Sequence, residues 1–109
     1  MKRRYEIYRG SKLLGYVGFD DQAPCEPFEP AEAFAETETL FNREYEASAQ
    51  AGEVNEDKEP DRFDKLMSEA EKIMDEIVAP GIRFEALEDT LCSFDCTQLS
   101  IFDGRVCWR

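Results

Sequence analysis

Gln98-Leu99-Ser100-Ile101-Phe102-Asp103-Gly104-Arg105-Val106-Cys107-Trp108-Arg109 reads as a β-hairpin. Asp-Gly between two alternating runs signals a two-residue turn, because both turn residues then adopt positive φ. The pairing sets Ile101 opposite Val106 and Leu99 opposite Trp108, a face expected in the core. Ser100, Phe102, Arg105 and Cys107 fall on the other face.

Upstream, Ile82-Arg83-Phe84-Glu85-Ala86-Leu87 alternates with period two and predicts a strand, with a loop over 88–95. Residues 61–78 form the clearest helix. Phe63, Leu66, Met67, Ala70, Ile73, Met74, Ile77 and Val78 make one apolar stripe, and Pro80-Gly81 ends it. The polar segment 53–60 reads as a linker with room to move. Residues 31–51 predict another helix, on Phe34, Phe41 and Tyr45 with Ala33, Thr37 and Leu40 beside them. Pro30 stands in its first turn and Gly52 at its C-terminal cap. Its acids include Glu32 and Glu36, a like-charge pair four apart. Pro24, Pro27 and Pro30 mark 20–30 as a loop. Tyr5-Glu6-Ile7-Tyr8-Arg9 and Leu13-Leu14-Gly15-Tyr16-Val17-Gly18-Phe19 read as two strands joined at Gly10-Ser11, with Tyr8 facing Leu13, Ile7 facing Leu14 and Tyr5 facing Tyr16.

The expected fold is therefore α+β: a hairpin, two helices, then three strands. These make a two-layer domain spanning 1–109, with an antiparallel sheet of about five strands and both helices on one face.

The chain has 109 residues, 13 Lys+Arg and 25 Asp+Glu, a net charge of −12. Residues 1–19 carry +4, residues 20–76 carry −14 and residues 77–109 carry −2. The field of the middle segment repels nucleic acid and anionic membranes and draws in basic partners. There is no histidine, which removes Ser-His-Asp and Cys-His catalysis and His-ligated metals. No apolar run is long enough to span a bilayer. Met1-Lys2-Arg3-Arg4-Tyr5-Glu6 lacks the apolar stretch of a signal peptide, so a cytoplasmic location is expected.

Cys25, Cys92, Cys96 and Cys107 lack the two tight pairs of a zinc knuckle. If the last hairpin extends back to Cys96, that thiol stands ~13 Å along the strand from Cys107's partner position. Neither a metal nor a disulfide is expected; the thiols read as free, small hydrophobes. Arg105 and Arg109 beside Cys107 favour a reactive thiolate, but no base accompanies it. Asn55, Asp57, Glu59 and Asp61 imitate the start of a calcium loop, yet Pro60 and Leu66 stand where glycine and glutamate are required. Gly15-x-x-Gly18 lies in a strand and is no phosphate loop. Lys2, Arg3, Arg4, Arg9 and Lys12 interleave with Tyr5 and Tyr8, a pattern that suits single-stranded nucleic acid; the adjoining acidic segment points instead to pairing within the chain. No cofactor, catalytic residue or direct nucleic-acid contact is expected.

The leading expectation is a non-enzymatic, acidic protein-binding module. It would be an inhibitor or DNA mimic, as in anti-defence proteins, docking on a basic nucleic-acid-binding protein. The candidate contact residues are Glu32, Glu36, Glu38, Glu44 and Glu46 on the first helix, then Glu53, Glu56, Asp57 and Glu59 in the linker. One alternative is an accessory subunit of a larger assembly, bound through apolar sheet faces at Phe102 or, on the first hairpin, at Tyr5/Tyr16 or Tyr8/Leu13, depending on which face is core. The other is a small metal or thiol protein using the C-terminal cysteines.

Overall fold

A computed structural model describes residues 3–19, 25–88 and 90–108. The order is β1 (Arg3–Arg9), β2 (Lys12–Phe19), β3 (Cys25–Pro30), a 3₁₀ turn (Glu32–Glu36), α1 (Glu38–Glu53), α2 (Pro60–Val78), β4 (Ile82–Ala86), a 3₁₀ turn (Thr90–Cys92), β5 (Phe94–Cys96), β6 (Leu99–Phe102) and β7 (Arg105–Trp108). The class is α+β, as expected. The sheet has seven strands rather than about five, in the order β5-β4-β1-β2-β3-β7-β6, and the pairs are antiparallel.

The two additional strands lie in segments that read as loops. β3 carries Pro27 and Pro30, residues normally confined to edges or irregular positions. It tolerates them because it changes neighbours midway: residues 25–27 pair with β7 and residues 28–30 with β2. The Phe28 N–H reaches the Gly104 carbonyl on the β7 side and the Ala31 N–H reaches Leu14 on the β2 side. Strand alternation then aims the Pro27 nitrogen toward β2 and the Pro30 nitrogen toward β7, each at a level where the neighbour does not pair. Neither missing donor leaves a gap in the ladder. The remainder of the expected loop, 20–24, lies outside the described residues, as do Lys2, Asp89 and Arg109. β5 is only three residues long and pairs with β4.

The terminal hairpin forms in the expected register, with Leu99 opposite Trp108 and Ile101 opposite Val106. Asp103 and Gly104 have φ of 51° and 72°, the double positive φ of its turn. The first hairpin keeps Tyr8 opposite Leu13, but Ile7 faces Gly15 and Tyr5 faces Val17. Leu14 is the extra residue of a β-bulge, which moves every later pair by one. It points into the core and is fully buried.

The sheet curls. Phe84 on β4 and Trp108 on β7 have ring centroids 5.2 Å apart. Four strand steps separate them, about 19 Å in a flat sheet. The concave side holds Tyr5, Ile7, Leu14, Val17, Phe28, Phe84, Leu99, Ile101 and Val106, and the helices add Phe41, Ala70, Ile73 and Ile77. The helices thus close a wrapped interior rather than covering one flat face.

α1 begins at Glu38, not in the segment after Pro30, because the 3₁₀ turn intervenes. That break resets the helical phase. Phe41, Glu44, Ala47 and Ala51 point inward, while Tyr45 is exposed. Gly52 lies inside the last turn, and Val54 is the extended capping residue. α2 matches expectation, beginning at Pro60. Arg9 closes its other end, donating from Nε to the Ile77 carbonyl (2.8 Å) and from Nη2 to the Glu76 carbonyl (2.9 Å). A guanidinium there satisfies orphan carbonyls and opposes the helix dipole.

Cys25 and Cys107 are joined by a disulfide, their Cα atoms 4.3 Å apart in directly paired positions of β3 and β7. This corrects the expectation of free thiols at those two residues. Cys25 read as a loop residue, so nothing in the sequence placed it beside Cys107. Cys92 and Cys96 stand outside any disulfide among the described residues. Among the described residues no helix is long and apolar enough to cross a membrane.

Candidate docking surface

The nine candidate carboxylates separate into three groups. Glu44 is buried, and its carboxylate accepts hydrogen bonds from Ser48 Oγ (3.0 Å) and Ser100 Oγ (3.2 Å). It ties α1 to β6 and offers no oxygen-rich outer face to a partner. Glu36 pairs with Lys12 of β2, and Glu59 lies 3.6 Å from Arg62 within α2. The other six, Glu32, Glu38, Glu46, Glu53, Glu56 and Asp57, are exposed and make no ion pair among the described residues. The segment 54–59 is a series of turns in which the Asp57 N–H donates to Asn55 Oδ1.

Three bases of the first hairpin, Arg4, Arg9 and Lys12, are engaged within the chain. Arg4 lies 3.8 Å from Glu29, Lys12 pairs with Glu36, and Arg9 caps α2. The convex sheet face is likewise occupied by its own polar contacts. Tyr8 donates to Glu6, and Arg83 bonds Glu85 and Asp95. Burial, followed by the Glu6 charge, raises the Tyr8 pKa; hydrogen bonds to Glu85 and Asp95 raise that of Arg83. Tyr5 is buried, so it offers no apolar contact to a partner.

Two of the six free carboxylates share a defined recess. A groove of about 460 Å³ runs between β3 and the β6–β7 turn on one side and the 3₁₀ turn and start of α1 on the other. Phe28, Phe34 and Ile101 form its floor, with Phe28 and Phe34 in edge contact at 5.1 Å. Phe102 forms a wall and stacks on Tyr45 with centroids 3.7 Å apart. Both rings of that pair are partly open to solvent, at 38% and 43%. Among the described residues the charged members of the lining are Glu32, Glu38 and Asp103, all acidic. A larger recess of about 640 Å³ on the helices has mixed charge, with Arg43, Lys65 and Lys72 beside Glu69 and Glu76. Only the smaller of these two combines an apolar floor with a rim of one sign.

The sequence placed Glu32 and Glu38 among the contact residues and Phe102 on an outer face. It did not place Asp103, read only as a turn residue, or Phe28, read as loop. Their convergence follows from β3, which brings Phe28 beside the turn. No family model matches the chain, and no curated protein or solved structure matches it either.

Proposed function

We propose that this protein is a non-enzymatic acidic binding module, an inhibitor or DNA-mimic-like protein that docks on the basic surface of a nucleic-acid-binding partner. The observation that carries this reading is the set of six exposed carboxylates that pair with no base among the described residues, running from the 3₁₀ turn through α1 to the turns before α2. Carboxylates held apart from their own cations keep their field available to another molecule. Such a field speeds encounter with a basic partner and selects against acidic ones.

The test is capture from a lysate of the native source, with Glu38→Lys/Glu46→Lys/Glu53→Lys as comparison. The reading expects a basic nucleic-acid-binding protein that is retained at low salt and released near 0.5 M, where screening acts within a few Å. It expects the triple variant to lose that protein and duplex DNA to compete for it. Retention by the triple variant, or through high salt, overturns it.

A second reading, an accessory subunit held by apolar contact, draws on a different observation. Leu91 and Leu87 are 93% and 47% exposed beside β4. That contact would survive high salt and fail on Leu91→Ser.

A further inference from the structure

We infer that the groove between β3, the β6–β7 turn and the start of α1 receives one apolar side chain from a basic linear segment of the partner. This rests on the acidic docking reading and narrows it from a charged face to an anchored peptide.

A mimic of phosphate charge needs carboxylates alone. This groove adds an apolar floor, in which Phe28 and Ile101 are buried and Phe34 is half-buried. Its volume, about 460 Å³, lies within the ~300–1,000 Å³ of ordinary ligand clefts. A standard protein interface of ~1,600 Å² extends well beyond such a recess. The recess therefore suits an anchor residue with flanking chain on either side. Hot spots of that kind are single side chains seated in desolvated pockets.

The groove is also built in advance of any occupant. The Phe28 N–H to Gly104 carbonyl bond (2.8 Å) holds its two strand walls together, and the Cys25–Cys107 disulfide ties the same strands. Phe28 against Phe34 locks the strand side to the 3₁₀ turn. Preorganisation of this sort lowers the ordering cost of binding.

Charge selects the occupant. Glu32, Glu38 and Asp103 stand around the apolar floor, with no base in the lining among the described residues. An acidic flanking residue would meet repulsion from three sides, whereas lysine or arginine would be drawn in. Arginine gains further from the open faces of the stacked Phe102–Tyr45 pair.

The experiment measures anisotropy of labelled synthetic peptides with the full chain. One peptide is Lys/Arg-rich with a central leucine, the second has alanine in its place, and the third is lysine throughout. The leucine peptide is expected to bind about tenfold tighter than the alanine peptide. Ala35→Trp, which fills the groove from an exposed position without changing charge, is expected to abolish that preference and leave the weak binding common to all three. Phe102→Ala, which opens one wall, is expected to reduce it, and Glu71→Gln, at an exposed position of α2 outside the groove, to leave it intact. Equal binding of the leucine and alanine peptides overturns the anchor while leaving the acidic docking reading standing, provided both still bind and are shed by salt. A preference that survives both Ala35→Trp and Phe102→Ala overturns the placement. Failure of every basic peptide to bind overturns both readings.

Discussion

Gly15 lies buried in β2, opposite Pro30 of β3. A Cβ there would overlap the Glu29 carbonyl oxygen and the Phe28 ring. Phe28 is the groove floor, so the missing side chain in β2 sets the depth of a recess built by β3. Gly15→Ala is expected to destabilise the protein by about 1–3 kcal/mol, the usual cost of overpacking, as read from the urea midpoint. An unchanged midpoint would mean that β3 shifts at no cost. The free thiol of Cys96 offers a second test at this scale. Burial, aided by the charge of Asp95, raises its pKa from the ordinary 9.0 to about 11. The unfolded thiol therefore ionises first as the pH rises. The stabilisation is complete below pH 9 and lost toward pH 11. Over that interval the wild type should lose stability more steeply than Cys96→Ala, and parallel curves would contradict the shift. Glu44 shows the limit of reading single residues. An acid on a helix reads as solvated, and its burial against Ser48 and Ser100 depends on where α1 starts relative to β6.

The same dependence governs the elements. Both hairpin turns, α2 and β4 were legible because their signals are local: Asp103-Gly104, Gly10-Ser11, the stripe from Phe63 to Val78 and the alternation of Ile82, Phe84 and Ala86. β3 was not legible, since its prolines are penalised in any strand with two full neighbours and cost nothing where pairing changes sides. Without β3 there is no seam with β7, no disulfide and no groove. The first hairpin's bulge escaped for a related reason. Leu14 is drawn into the core by burial, and that gain outweighs the regular ladder that would face it to Ile7. The disulfide closes a long loop, with a separation of 82 residues. Its reduction is expected to cost about 2–5 kcal/mol. Under denaturing, non-reducing conditions a thiol titration should find the two cysteines outside the disulfide, and all four only after reduction. A titre of four without reductant would remove the clamp and the preorganisation argued for the groove.

The molecule as a whole measures 50 × 29 × 22 Å with a radius of gyration of 15.0 Å, against about 13 Å for a compact chain of this length. Burial along the helices suggests where the excess lies. α1 is buried at Phe41, Glu44, Ala47 and Ala51, and α2 at Ala70, Ile73 and Ile77, while no residue from 52 to 69 is buried. Glu53, Glu56, Asp57 and Glu59 therefore occupy a part of the helical hairpin supported mainly by helix–helix packing. Glu32, Glu38 and Asp103 stand on the wrapped interior beside Phe28 and Ile101. Both groups add to the long-range field, but only the second is held by elements that open with the core. Amides of residues 52–66 are expected to exchange through local opening, at free energies well below that of global unfolding. Those of β1, β2 and β4 should exchange only when the whole domain opens. Addition of the leucine-centred basic peptide should then slow exchange at β3 and the β6–β7 turn, with little change at residues 52–59. Protection gained chiefly at 52–59 would move the contact to the hairpin's far end and make charge alone the basis of recognition.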